Sequence, residues 1–183
     1  MRQRLIDAAT EVFLEVGYAQ ASSRMIAERA GVSHTLVNYH FGSKQGLFGE
    51  VMSLTLTPSK VLGEALGHRP GETPIMVSRR FVGTVVTVWD DAHLSEPFVA
   101  MLREAMADDS VRTNVAEFIE REVLDHVAAR IGGPDALSRA SGVAMCIAGL
   151  VMGRYLLRVG PLVALSKQDV VRVLAPMVAV HLR

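Results

Sequence analysis

The chain reads as all-α, an N-terminal three-helix helix-turn-helix unit followed by a larger helical domain, with about nine helices in total. Three observations predict this class. Apolar residues recur at helical spacing along nearly the whole length, and no stretch shows the alternation of a strand. Half of the 183 residues are hydrophobic but only 5% are aromatic, as suits an aliphatic core of packed helices. Glycine, proline and serine interrupt the pattern where helices would be capped or stopped.

The first helix is expected from about Arg2 to Val16, with Leu5, Ala9, Val12, Phe13 and Val16 on its inner stripe and Gly17 as its stop. The stretch Ser22–Lys44 then holds two short helical patterns around Gly31-Val32-Ser33. Ser22 suits the cap of the first, which buries Ile26, Ala27 and Ala30. Ser33 suits the cap of the second, with Val32 placed to staple onto Val37. Two short helices joined by a three-residue turn containing glycine are the sequence form of a helix-turn-helix, whose second helix, here about His34 to His40, enters the DNA major groove. Ser43 caps a fourth helix that turns Leu47, Phe48, Val51 and Met52 inward, with Gly46 where a capping box would have Glu or Gln. Thr57-Pro58 ends or kinks it, and Pro58 opens a further helical piece to about Leu66.

Gly67–Gly71 is the clearest later break. Helices follow over about Pro74–Asp91, from Ser95-Glu96-Pro97 onward, and over Val111–Ile131, which Gly132-Gly133-Pro134 stops. In the next, Asp135–Val159, small residues recur at Ser138, Gly142, Cys146, Gly149 and Gly153, a stripe that admits another helix closely. After Gly160-Pro161 the last helix starts at a capping-box-like Ser166…Asp169 and carries Val170, Leu174 and Met177 with few charges to face water. Two such helices exceed what one small domain covers, so a twofold partner completing a four-helix interface is expected. The division expected is residues 1–49 for DNA binding and 50–183 for ligand binding and dimerisation.

Composition narrows the function classes. Net charge is zero, and residues 1–49 carry five cations against four anions, so DNA affinity must come from a few placed cations and from pairing. The one cysteine, Cys146, excludes an internal disulfide or a cysteine metal site. His34 and His40 are six apart, off a common helical face, so no metal pair is read there. No nucleophile–base pairing, metal cluster or phosphate loop supports an enzyme, and neither cofactor nor metal is expected. The apolar run Gly142–Gly153 falls short of the roughly 20 residues of a membrane span. Because the N-terminus enters an amphipathic helix at once, with no signal-peptide pattern, a soluble cytoplasmic protein is expected.

Residues 1–52 resemble the DNA-binding domain of TetR/AcrR-type transcriptional regulators. The resemblance rests on Gly17-Tyr18, Ser22-Ser23-Arg24, Ile26-Ala27, Gly31-Val32-Ser33 and Tyr39-His40-Phe41-Gly42-Ser43-Lys44 followed by Leu47. Around Trp89-Asp90-Asp91, Leu102–Ala105, Arg154-Tyr155 and Gly160-Pro161-Leu162 the chain is similar, more weakly, to actinobacterial-type members. Asn38 stands where many members carry Tyr, so an aromatic contact is replaced by an amide able to meet a phosphate or a base edge.

The resemblance implies a homodimeric repressor, bound to a double-stranded operator and released by a small ligand. It implies that Ser23 and Arg24 hold one phosphate strand and that Tyr39, His40 and Lys44 hold the other. Ser33, His34, Thr35, Leu36 and Asn38 complete the contact set, with His34 offering a donor or acceptor to a base and Thr35 and Leu36 packing on thymine methyls. It also implies an apolar pocket, for which Met52, Val85, Trp89, Met101, Met106, Phe118, Met145, Met152 and Tyr155 are the candidates. Arg154 beside Tyr155 is the polar pair able to meet an anionic ligand group or an interface carboxylate. Two alternatives stay open: a DNA-binding protein of the same fold without a small-molecule ligand, and a helical interaction module.

Overall fold

The computed structural model describes residues 1–56, 63–67 and 69–183, with the side chains at 19, 52–56, 93 and 97 outside the described set. The regular structure of the described residues is all helical, without strands. In chain order they form α1 (Arg2–Gln20), α2 (Ser23–Ala30), α3 (Thr35–Phe41), α4 (Lys44–Leu56), α5 (Pro74–Asp90), α6 (Ala92–Ala107) and α7 (Asp109–Phe118). A π-helical segment (Ile119–Leu124) leads into α8 (Asp125–Ile131), and a second (Val151–Leu156) continues α9 (Ala136–Leu150). Then come α10 (Gly160–Val163), α11 (Lys167–Ala179) and a closing 3₁₀ turn (Val180–Leu182). The expected Val111–Ile131 helix is thus divided by a π segment, and Gly160-Pro161, expected only as a break, also opens a short helix with proline in its first turn. The expected Thr57-Pro58 boundary lies outside the described residues, while residues 63–66 are helical.

Two compact units result, residues 1–57 with 100–118, and residues 58–99 with 119–183. In the first, Leu5, Ala9 and Val12 of α1 close on Ile26, Ala27 and Ala30 of α2, Val37 of α3, and Leu47 and Val51 of α4. Leu5, Ile26, Val37 and Leu47 are wholly buried. Each such side chain is worth about 1.5–3 kcal/mol relative to exposure.

Local chemistry fixes the turns of this unit. Gly17 sits at φ 78°, ψ 163°, a conformation essentially confined to glycine, and breaks α1 where the sequence predicted its stop. The Ser22 side chain accepts from the Met25 amide and caps α2. At the other end of α2, Gly31 is left-handed (φ 64°), its amide bonding the Glu28 carbonyl and the Val32 amide that of Ala27, which is a complete Schellman turn. Ser33 does not cap α3 with its side chain as expected; its hydroxyl pairs with that of Thr35 at 2.9 Å. Ser43 does cap α4, accepting from the Gly46 amide at 3.0 Å. A Cβ at Gly46 would lie 2.0 Å from the Phe41 carbonyl oxygen, which is why no capping-box side chain stands there.

The second unit is built on α5 and α11, where Val77, Phe81, Val82, Val85 and Val86 meet Val170, Ala175 and Val178, with Val127, Ala140 and Val143 completing the core. Ser166 caps α11 as predicted, accepting from the Asp169 amide and bonding its carboxylate.

The small-residue stripe of α9 needs correction. A Cβ at Gly142 would lie 2.3 Å from the His181 ring, and one at Gly153 2.5 Å from Leu162, so both glycines admit side chains of the same chain rather than a partner helix. Val170 is likewise buried in the chain's own core. Of the remaining stripe residues, Ser138 and Gly149 are exposed and Cys146 is half-buried against the core. What α9, its π extension and α11 leave open to solvent is an apolar set: Leu137, Met145 and Met152, and Val173 and Met177, followed by Val180. The continuous helix Ala136–Leu156 is 21 residues long and apolar enough by composition to cross a bilayer, a length that the twelve-residue run considered in the sequence understates.

Candidate nucleic-acid interface

Helix α3 has two faces. Val37 is fully buried, and Leu36 and Phe41 pack partly against the same core. His34, Thr35, Asn38 and Tyr39 point outward, the i, i+1, i+4, i+5 pattern of one helical face. Tyr39 is 80% exposed, far beyond what a packed aromatic shows, and its ring lies edge-on to His40 at 5.0 Å. A protruding phenol and imidazole beside an amide and a hydroxyl are hydrogen-bonding groups held on a short rigid element, as groove readout requires. Leu36, expected to meet thymine methyls, is half-buried in the core instead.

At the start of α2, Ser23 is half-buried and Arg24 is solvent-facing, its side chain 83% exposed. Its guanidinium meets Glu28 at 3.1 Å one turn on. An exposed pair of this kind is weak and readily exchanged for a phosphate. Arg29, by contrast, is committed to Glu15 at 2.7 Å and Glu11 at 3.1 Å, tying α2 to α1.

Lys44 departs from the expected phosphate contact. Its ammonium donates to the Tyr18 carbonyl at 2.7 Å and the Ala21 carbonyl at 2.9 Å, and lies 4.1 Å from the centre of the Tyr18 ring. Burial pulls its pKa down, and the Glu104 and Asp108 carboxylates oppose that pull. Two of its three donors are therefore spent on carbonyls beside the start of α2, and the side chain is a tie inside the fold. Tyr18, one of the Phe13–Tyr18–Phe48 ring cluster, is held on both sides: its amide donates to Glu104 at 2.8 Å and its hydroxyl accepts from Asn114 at 2.7 Å. Sequence reasoning missed Glu104 and Asn114, because nothing in a helical pattern marks which polar residue on a distant helix reaches the corner.

The residues expected to line a ligand pocket fall in both units: Met101, Met106 and Phe118 in the first, Val85, Trp89, Met145, Met152 and Tyr155 in the second. Met101, Phe118 and Val85 are buried, whereas Met106, Met145 and Met152 are exposed, 65% and 70% for the first two. The side chain of Met52 lies outside the described residues. A cavity of about 270 Å³ in the second unit is lined by Leu66, Pro74, Val77, Arg130, Ile131 and Leu182, none of them among the nine. Arg154, expected to face an anion, donates to the carbonyls of Leu162, Val163 and Leu165 at 2.7–3.2 Å and approaches Asp90 at 3.4 Å. The Tyr155 hydroxyl donates to the same Asp90 oxygen at 2.9 Å; burial, then that carboxylate, pushes its pKa up to about 12. Among the described residues no group of His, Cys, Asp and Glu is disposed to hold a metal.

Comparison with known proteins completes the picture. Residues 5–51 match the bacterial regulatory proteins of the tetR family, and residues 76–182 match the tetracyclin repressor-like C-terminal domain. The HTH-type transcriptional regulator BetI of Stenotrophomonas maltophilia is 30% identical over 162 residues, covering 81% of this chain and 78% of that protein. A TetR-family regulator of Streptomyces coelicolor superposes with a TM-score of 0.74 at 26% identity, over 99% of this chain and 93% of that one. Salmonella enterica GusR shares the fold at a TM-score of 0.65 and 17% identity, over 99% and 94% of the two chains. The helix-turn-helix, the all-helical architecture and these matches along the chain agree: it belongs to the TetR family of transcriptional regulators, which are not enzymes.

Proposed function

We propose that the protein is a cytoplasmic repressor that binds a palindromic operator as a homodimer and is released by a small apolar or amphipathic ligand. The observation that carries the DNA-reading part is the outward face of α3, with His34, Thr35, Asn38 and Tyr39 free to meet base edges and phosphates while Val37 anchors the helix. Ser23, Arg24, Tyr39 and His40 are the phosphate set, His34, Thr35 and Asn38 the base-reading set, with Ser33 at the entrance to the helix. Residues 1–49 make the DNA contacts; residues 50–183 supply dimerisation and ligand response. The exposed apolar residues of α9 and α11 support a second copy as the partner, with the two recognition helices about 34–36 Å apart on successive turns of one DNA face. Ligand release is then a population shift: the effector favours a conformation in which the two DNA-binding units no longer match that spacing.

A second reading, the same DNA-binding protein without a small-molecule ligand, is favoured by the exposure of three of the nine expected pocket residues, Met106, Met145 and Met152, to solvent. The test is selection of duplexes from a random library by the full chain, followed by gel shifts at two salt concentrations. A selected palindrome, bound two chains per duplex, is the expected result, and selection of no common sequence would reject the reading. Adding amphipathic compounds to the selected complex separates the readings, since only the ligand-responsive one loses DNA.

A further inference from the structure

The helix-turn-helix begins at the Ser22 cap and ends with Phe41, and one side chain closes it. Lys44, three residues beyond α3, reaches the carbonyls of Tyr18 and Ala21, the latter immediately before the Ser22 cap. The entry of α2 and the exit of α3 are thereby sewn together. The stitch is held from behind by α6 and α7: Glu104 takes the Tyr18 amide, and Asn114, itself buried, gives its amide proton to the Tyr18 hydroxyl. The Gly17 kink makes room for this carboxylate, because a Cβ there would meet Glu104 Oε2 at 3.3 Å. With Tyr18 only 6% exposed, its hydroxyl has no solvent to replace Asn114.

We propose that Glu104 and Asn114, far along the chain from the helix-turn-helix, are positioning residues for DNA recognition, acting through Tyr18 and Lys44 to fix the relation between the start of α2 and the recognition helix. Neither touches DNA. Phosphate contacts from α2 and base contacts from α3 must be made at once, so freedom between the two helices lowers affinity with no contact group lost. The inference rests on the operator reading above and adds to it that residues 100–118 are functionally part of the DNA-binding unit.

The sign of the effect separates positioning from plain charge. Removing an acidic residue from a DNA-binding protein ordinarily raises affinity for the polyanion. Here Glu104→Ala is expected to lower affinity for the selected duplex by about five- to tenfold, within the range of one lost hydrogen bond. Glu104→Gln, equally short of the charge but able to accept from the Tyr18 amide, is expected to recover most of that loss. In Asn114→Leu affinity falls as well, and combining it with Tyr18→Phe, which removes the stranded hydroxyl, restores it. In every case the slope of log K against log salt stays at the wild-type value.

The experiment is fluorescence anisotropy of the full chain on the selected duplex across a salt series, with thermal melts of each variant and hydrogen exchange at the Tyr18 amide read by NMR. Faster Tyr18 exchange with wild-type or tighter affinity in Glu104→Ala would overturn the proposal, as would equal effects of the Ala and Gln variants. So would unchanged Tyr18 exchange in Glu104→Ala, because the clamp would then be absent in solution. A melting temperature that falls below the assay temperature moves the comparison to Glu104→Gln and the Tyr18→Phe/Asn114→Leu pair, where failure to hold near-wild-type affinity counts against it. If the wild type selects no duplex, the operator reading fails and takes this one with it. A wild type that binds while Glu104→Ala binds as well defeats this inference alone.

Discussion

Arg24 and Lys44 carry the same charge and stand in different relations to solvent. Among the described residues Arg24 shares its guanidinium with the exposed carboxylate of Glu28, a weak pair that a phosphate can replace. Lys44 has spent two donors on carbonyls. Arg24→Ala is therefore expected to weaken binding to all duplexes alike and to reduce the salt slope by about one, whereas Lys44→Met lowers affinity and melting temperature with the slope unchanged; a salt titration of both variants checks this. His34 faces outward at the start of α3, and on the proposed reading it meets a base rather than a phosphate. His34→Ala is expected to relax preference at one position in each half-site, and repeating the duplex selection with this variant shows it; an unaltered preference would remove His34 from the readout. What could be read from the sequence here was what is local. Ser22 and its amide partner are three residues apart, and Gly31 ends α2 by a turn it encodes alone. The inward turn of Lys44 was not legible, because its partners are backbone carbonyls, which every sequence supplies and no side-chain pattern announces.

At the scale of elements, periodicity located the helices and misjudged what their faces meet. Of the stripe Gly142, Cys146, Gly149, Gly153, the first and last glycines are closely approached and Gly149 has open space beside it; spacing cannot say which atoms approach, and at Gly142 and Gly153 His181 and Leu162 of the same chain take the places reserved for a partner. The π segment beginning at Val151 also shifts the phase on which such a stripe depends. It carries Arg154, whose expected partner is an anionic ligand group or an interface carboxylate and whose polar surroundings are in fact carbonyls of the turn before α11 together with the chain's own Asp90 carboxylate. With 12% of its side chain exposed, Arg154 stands in for three groups' worth of solvent at that turn. Arg154→Met is expected to cost about 1.5–3 kcal/mol, the value of hydrogen bonds to a charged donor, as a lower urea midpoint with an unchanged m-value. Direct effector chemistry at Arg154 would give the opposite pattern, with stability kept and ligand response lost.

For the whole molecule, the balance of charge and the exposed apolar face lead to the same requirement. Residues 1–49 carry a net charge of only +1, five cations less four anions, too little for one copy to hold DNA strongly. On the proposed reading, affinity comes from two units binding together, where the second contact is made at an effective concentration set by the first. The surface suited to join them is the set Leu137, Met145, Met152, Val173, Met177 and Val180, with Met145 the most exposed at 70%. Methionines adapt to an opposing copy of themselves, and a twofold axis would bring the same patch against itself. Placing a charge in that patch tests pairing without touching either core. Met145→Glu and Met177→Glu are expected to sediment as monomers at concentrations where the wild type is a dimer, with helical content and melting of the isolated chain retained. On a single half-site they should bind as the wild type does. On the full palindrome they should lose the gain from bivalence, about a hundredfold or more, so that the affinity ratio of full site to half-site falls toward the statistical factor of two. Dimers that persist in both variants would remove this face from the interface, and monomers that retain the full-site affinity would show that DNA recognition does not require pairing.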